Sequence, residues 1–425
     1  MKLNYKRTIL VGFAFFLICA FWQAYDTIVP LILTNKFNMK QTWSGVIMAL
    51  DNIFAVFMLP VFGNISDKTK TKFGRRTPFI VIGTVCAVIF FTLLGFTSSL
   101  VMFIIFLLLS LISMAIFRSP AVALMPDVTV KPLRSKANAI INLMGTIGGI
   151  IILLFATVFK TSEDGKTDFG FYIIAVCAVM IVALSVFLIT VKEPLWAKEM
   201  QKETERLGCD KETEVRESVG GKLTKSQLTS LILILASVAL WYIGYNAVTS
   251  KYSVYASKYL HVNYATTLLL AQAAAVISYI PVGIIASKLG RRKTILAGVL
   301  MLFGSFLGAS FITQESPNWL MYILFALAGI GWATINVNSF PMVVELAKGS
   351  DVGKYTGYYY TASMAAQIVT PVVSGALMDK IGYQSLFPYA TVFVALAFLT
   401  MFFVKHGDSK PEAKVGIEAL DIQDD

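Results

Sequence analysis

Twelve long apolar runs, six on each side of a short charged segment, constrain this chain more than any other feature. They lie near residues 8–33, 42–65, 78–97, 100–126, 137–159 and 169–191, and again near 227–249, 264–287, 294–312, 319–346, 355–378 and 384–404. Each is about long enough to cross a hydrocarbon core as a helix. With 14% charged and 56% hydrophobic residues, most of the chain must sit in lipid or against other apolar helices. The expected fold is therefore an all-α membrane protein of about twelve transmembrane helices in two six-helix bundles. The expected organisation is an N-terminal bundle over 1–191, a cytoplasmic linker over 192–226, a C-terminal bundle over 227–404 and an acidic tail over 405–425. The linker carries dense mixed charge with no apolar face, with room for one surface helix through 196–207.

The net charge of +11 would suit a nucleic-acid binder if the cations formed one patch. They cluster instead in short loops beside apolar runs, so no nucleic-acid partner is expected. With the N-terminus inside, the inner segments hold 28 Lys and Arg residues and the outer loops 7. That asymmetry places both termini and the linker in the cytoplasm of a multi-pass plasma-membrane protein. The first run continues through Trp22, Gln23, Tyr25 and Asp26 without a small-residue cleavage site, which marks a membrane helix rather than a removable signal. Four Cys residues show no pairing pattern, and the two His lie outside the apolar runs. Neither a disulfide framework nor a metal site is expected.

The two halves repeat one another. Residues 63–78 carry five cations between two apolar runs, and a shorter echo occupies 283–292. Phe21–Asp26 aligns with Trp241–Asn246 at an offset of 220, Gly63 with Gly283 at the same offset, and Pro120 with Pro341 at 221. A near-constant shift argues for two parallel halves with a pathway between them. It also pairs Asp26 with Asn246, as if one polar site were built twice and ionised once.

Ionisable groups deep in a bilayer are costly, so Asp26, Asp51 and Arg118 are the strongest functional candidates. At 1.5 Å per residue they lie roughly 10–14 Å from the nearer end of their helices, deep enough to face a central cavity. An ion pair that merely pins helices is the competing explanation. Desolvation pushes a carboxyl toward its neutral form and a guanidinium pulls it back toward the anion. Asp26 and Asp51 are therefore the candidate proton-coupling pair, with protons as coupling ion and no other cofactor. Gln23, Asn52, Asn142, Tyr245, Asn246, Gln272, Trp332, Asn336, Asn338 and Gln367, with Arg118, suit a hydroxyl-rich ligand. Amides pair with neighbouring hydroxyls, and a flat ring covers the C–H side of a sugar. Helix–helix hydrogen bonding is the alternative for each amide. Asp67, Arg75, Arg76, Asp127, Arg134, Arg291, Arg292 and Glu345, at inner helix ends, are candidates for a charged cytoplasmic gate, with a purely topological role for the cations as the alternative.

Gly63-x-x-x-Asp67 followed by Gly74-Arg75-Arg76 resembles the signature loop of the major facilitator superfamily. Residues 66–80, 118–127, 134–139 and 329–339 resemble the sucrose-transporter branch of the glycoside–pentoside–hexuronide cation symporters. The resemblance implies alternating access and sugar transport. Two second-helix carboxylates that bind sodium in melibiose-permease relatives would fall at Ala55 and Leu59, and their sugar-binding acid at Arg118. This departure favours proton over sodium coupling. Plant sucrose transporters have a basic residue where Val122 stands, and Arg118 lies one turn away on the same helical face.

The expected function is proton-coupled symport of a glucoside or disaccharide by a monomer in the lipid bilayer. The alternative is transport of another organic solute, an organic anion or a drug, which the Arg118 guanidinium would suit. An enzyme is not expected, since the sequence holds no nucleophile–base pair and no phosphate-cradling loop. A non-transporting sensor would need an added soluble domain.

Overall fold

The computed structural model describes residues 3–130, 133–159, 169–207, 223–346 and 352–407. The acidic tail beyond 407 and the 208–222 portion of the linker lie outside the described residues. Among the described residues the fold is all-helical. Helices α1 (Tyr5–Asn35), α2 (Gln41–Lys68), α3 (Thr77–Phe96), α4 (Leu100–Val128), α5 (Arg134–Val158) and α6 (Phe169–Thr190) form the first half. A short α7 (Glu193–Leu207) follows, then α8 (Lys225–Tyr255) with a π turn to Leu260, α9 (Tyr264–Leu289), α10 (Arg291–Ala309), α11 (Asn318–Val344), α12 (Val352–Lys380) and α13 (Leu386–Phe402).

Among the described residues, eleven helices are long and apolar enough to cross a membrane, and α9 contributes a shorter apolar stretch, Tyr264–Tyr279. Helices are the natural solution because a bilayer offers no partner for an open backbone group. Lipid also explains the surface. On α3, Ile82, Val85, Ile89 and Leu93 form an exposed apolar stripe, while Ile80, Ala87, Phe91 and Leu94 are buried. In water that stripe would be an aggregation site.

The chain clusters into two compact units, Met1–Ile32 with Leu50–Asp210, and Leu33–Ala49 with Lys211–Asp425. In the first, α3 packs on α4 and α6, and α7 packs on α4. In the second, α9 and α10 pack on α11, while α8 packs on α12 and α13. Small residues set the closest crossings. A Cβ on Gly83 would lie 2.6 Å from that of Phe117, and one on Gly298 would lie 2.8 Å from the Gly331 carbonyl oxygen. These glycines bring α3 against α4 and α10 against α11, at matching places in the two halves.

Interior prolines repeat as well. Pro60 and Pro120 in α2 and α4 correspond to Pro281 and Pro341 in α9 and α11. Each removes an intrahelical hydrogen bond and favours a bend.

Two expectations need correcting. The linker segment does have an apolar face: α7 begins at Glu193, and Trp196 is buried. Helix α8 also extends beyond the expected 249, carrying Lys251 out of an expected outer loop into a helix, where it is fully buried.

Candidate functional site

In the first unit, α1 carries Trp22, Gln23 and Asp26, α2 carries Asp51 and Asn52, and α4 carries Arg118. All six side chains are partly exposed, neither sealed in the core nor spread on the surface. The Arg118 guanidinium lies over the Trp22 ring, 5.6 Å from its centre. Trp22 is held edge-on by Phe21 and Tyr25, with ring centres 5.5 and 5.3 Å away. Its buried indole N–H has no hydrogen-bond partner among the described residues. The charges of Asp51 and Arg118 both act on Asp26, and that of Arg118 acts on Asp51. The three ionisable groups singled out from the sequence thus share one neighbourhood. The Asp51 carboxylate accepts from the Asn52 backbone N–H at 2.6 Å and from its side-chain amide at 2.7 Å. That ties Asn52 to the acid. Asn142, on α5, is buried.

In the second unit, Tyr245 on α8 stacks on Trp332 of α11 with ring centres 3.6 Å apart and planes 4° apart. Tyr242 meets the same indole edge-on at 5.2 Å. The buried Tyr242 hydroxyl has no partner among the described residues. Asn246 and Asn338 donate their side-chain amides to the carbonyls of Tyr242 and Thr334, one turn back on their own helices. Gln272, Asn336 and Gln367 are partly exposed, on α9, α11 and α12.

The charged loops assemble within each unit. Arg75 donates to both Asp127 oxygens at 3.0 and 2.6 Å, and Arg76 to Asp127 at 2.7 Å. Arg76 also pairs with Asp67 and bonds Ser66. Burial opposes the Arg76 cation, but Asp127 and Asp67 outweigh it and hold its pKa above the ordinary arginine value. Arg134 caps α4, donating to the Thr129 and Pro126 carbonyls at 3.2 and 2.9 Å. In the second unit Arg291 pairs with Glu345, and Arg292 bonds the Phe402 carbonyl.

Glu193 holds the first loop in place and was not singled out from the sequence. Only 2% exposed, its carboxylate accepts from the N–H groups of Arg75, Arg76 and Thr77 at 2.7, 2.9 and 2.8 Å, and from the Thr77 hydroxyl at 2.7 Å. An acid there satisfies the open donors at the start of α3 and favours its dipole. Gly74 makes room: its φ is +113°, and a Cβ would fall 2.2 Å from the Glu193 carboxyl carbon. The only signal in the sequence is Glu193-Pro194 opening a helix.

The profile of the family described as MFS/sugar transport protein matches residues 10–405, nearly the whole chain. The chain belongs to this family. As an MFS transporter it is a multi-pass membrane protein and not an enzyme. It is 24% identical over 412 residues to an uncharacterized MFS-type transporter of Methanocaldococcus jannaschii, covering 94% of this chain and 95% of that one. A probable nitrate transporter of Staphylococcus epidermidis is 28% identical over 177 residues, or 42% of this chain and 44% of that one. The sucrose transport protein SUC4 of Arabidopsis thaliana is 30% identical over 66 residues, 16% of this chain and 13% of that one. The fold is similar to that of the inward-open xylose transporter XylE from E. coli, with a TM-score of 0.71 and 14% identity over 98% of this chain and 99% of that one.

Proposed function

We propose that this MFS transporter imports a sugar, a glucoside or disaccharide, by proton-coupled symport through alternating access. The observation that carries the proposal is that Asp26, Asp51 and Arg118 interact through their charges, with the Arg118 guanidinium over the Trp22 ring. Two acids and one guanidinium in an otherwise apolar bundle can hold or release one proton without leaving a large net charge in the membrane. Proton loss and gain then bias which side of the bilayer the site faces. Ala55 and Leu59, both on α2, offer no oxygen ligand where sodium-coupled relatives hold carboxylates, which supports protons over sodium. The Tyr245–Trp332 stack, with Asn336 and Gln272 on the helices that carry and flank it, supplies an aromatic face and amide groups of the kind that bind a sugar ring. The plasma membrane, cytoplasmic termini and a monomeric state complete this proposal.

The test is uptake of labelled sucrose and of an aryl glucoside into proteoliposomes under an inward acid gradient. Accumulation that disappears when a protonophore collapses the gradient supports the proposal. Uptake of neither sugar under any gradient refutes it.

A second reading keeps the fold and changes the cargo to an organic or inorganic anion. Arg118 favours it, because a guanidinium suits planar oxyanions, as does the likeness to a probable nitrate transporter. Thermal stabilisation by nitrate or a small carboxylate, with none by sugars, would establish it.

A further inference from the structure

Where α8 begins and α13 ends, the second unit gathers cations. Lys225, Lys288, Lys293 and Lys405 are exposed, and Arg291 and Arg292 are half-buried. Contacts between the helix ends bring them onto one face. Arg292, at the start of α10, bonds the Phe402 carbonyl at the end of α13 and lies over the Phe402 ring, 5.9 Å from its centre. The Lys405 N–H donates to the Ser230 hydroxyl of α8 at 3.3 Å, and His406 Nδ1 lies 2.9 Å from the same oxygen. Arg291 reaches Glu345, just past α11. Among the described residues, Glu345 is the only acid at these helix ends. A face so charged repels itself and draws anions.

The chain leaves the described residues on this same face. Val404 is 0% exposed. Gly407 turns with φ +85°, and a Cβ on it would stand 2.9 Å from the Met342 carbonyl oxygen of α11 and 3.6 Å from the Ile234 side chain of α8. The exit is therefore packed between two helices beside the cations. Residues 408–425 follow, with six acids, Asp408, Glu412, Glu418, Asp421, Asp424 and Asp425, against Lys410 and Lys414. Fully extended they span about 60 Å, ample to return every acid to the face from which the segment starts.

We propose that residues 408–425 dock onto this cationic face of their own unit and cover it. Each exposed ion pair contributes little, but several act together, and the tether holds the acids at about millimolar effective concentration. The covered face no longer draws other polyanions, lipid headgroups included. The contact is electrostatic, so about 1 M salt, which cuts the screening length to about 3 Å, should release it. Docking does not depend on the identity of the cargo, so its test needs none.

The full chain in phosphatidylcholine nanodiscs is treated with a carbodiimide, which joins a carboxylate to a touching lysine, and the joined peptides are read by mass spectrometry. Cross-links from Glu418, Asp421, Asp424 or Asp425 to Lys225, Lys288 or Lys293 are expected, and 1 M sodium chloride should suppress them. In a mixture of light and isotope-labelled chains they should stay within one copy. Trypsin should cut after Lys410 and Lys414 about fivefold faster in Lys288→Glu/Lys293→Glu, the scale set by losing two exposed ion pairs. Absence of these cross-links, or cross-links confined to light–heavy pairs, would overturn the proposal. So would equal cutting rates in the two chains. Loss of the cross-links in nanodiscs of phosphatidylglycerol would assign the face to lipid headgroups and overturn it as well.

Discussion

The Arg118 guanidinium on α4 lies 5.6 Å from the centre of the Trp22 indole on α1, so one cation is shared between a ring and two neighbouring acids. A flat, delocalised cation can cover an indole face and still offer its edge to a carboxylate. An ammonium offers one point of charge and cannot do both. Arg118→Lys should therefore lower the initial rate of uptake at low substrate about tenfold, with little change in melting temperature, since about 1–2 kcal/mol of desolvated cation–π contact is lost. Initial-rate uptake by proteoliposomes checks it.

The charges of Asp51 and Arg118 act on Asp26, and that of Arg118 acts on Asp51, so each acid is expected to matter to coupling rather than to folding. Asp26→Asn and Asp51→Asn should abolish accumulation driven by an acid gradient while leaving sugar exchange at zero gradient in place. Gradient-driven uptake that survives in both variants would remove the carboxylates from the coupling mechanism. Replacing sodium by potassium in the buffers should change nothing in the unmodified protein.

The Tyr245–Trp332 stack leaves one face of each ring uncovered by the other. Trp332→Ala should raise KM for a sugar about fivefold, equivalent to roughly 1 kcal/mol of aromatic contact. Trp332→Phe should restore most of that loss. A KM that rises for sugars but not for anions would also separate the two cargo readings.

Glu193 satisfies three backbone donors and a hydroxyl at the start of α3. Glu193→Ala strands buried N–H groups and should cost on the order of 2–3 kcal/mol. Differential scanning fluorimetry in detergent should show a clear drop in melting temperature. A variant that melts with the parent protein would mean that α7 docks without helping to order the Arg75–Arg76 loop.

The twelve apolar runs were legible because lipid demands apolar surface over a full span, and that demand is written residue by residue. The Asp67–Arg76–Asp127 network was legible for the same reason, since charges at helix ends stand out against apolar flanks. Lys251 was not: it sits in a Tyr- and Ser-rich stretch, and only packing against α2 and α12 shows that the helix continues past it. Glu193 was hidden among the mixed charges of the linker, where one buried acid looks like its exposed neighbours. Amides were the least readable. Asn246 and Asn338 bond carbonyls of their own helices, and a sequence cannot say where a side-chain amide turns.

The most direct test of the central claim is the time course of labelled sugar in proteoliposomes held at acid outside and neutral inside. The account predicts a transient accumulation above the external concentration, abolished by a protonophore and absent in Asp51→Asn. Sugar that only equilibrates, at a rate indifferent to the gradient and to Asp51→Asn, would contradict it.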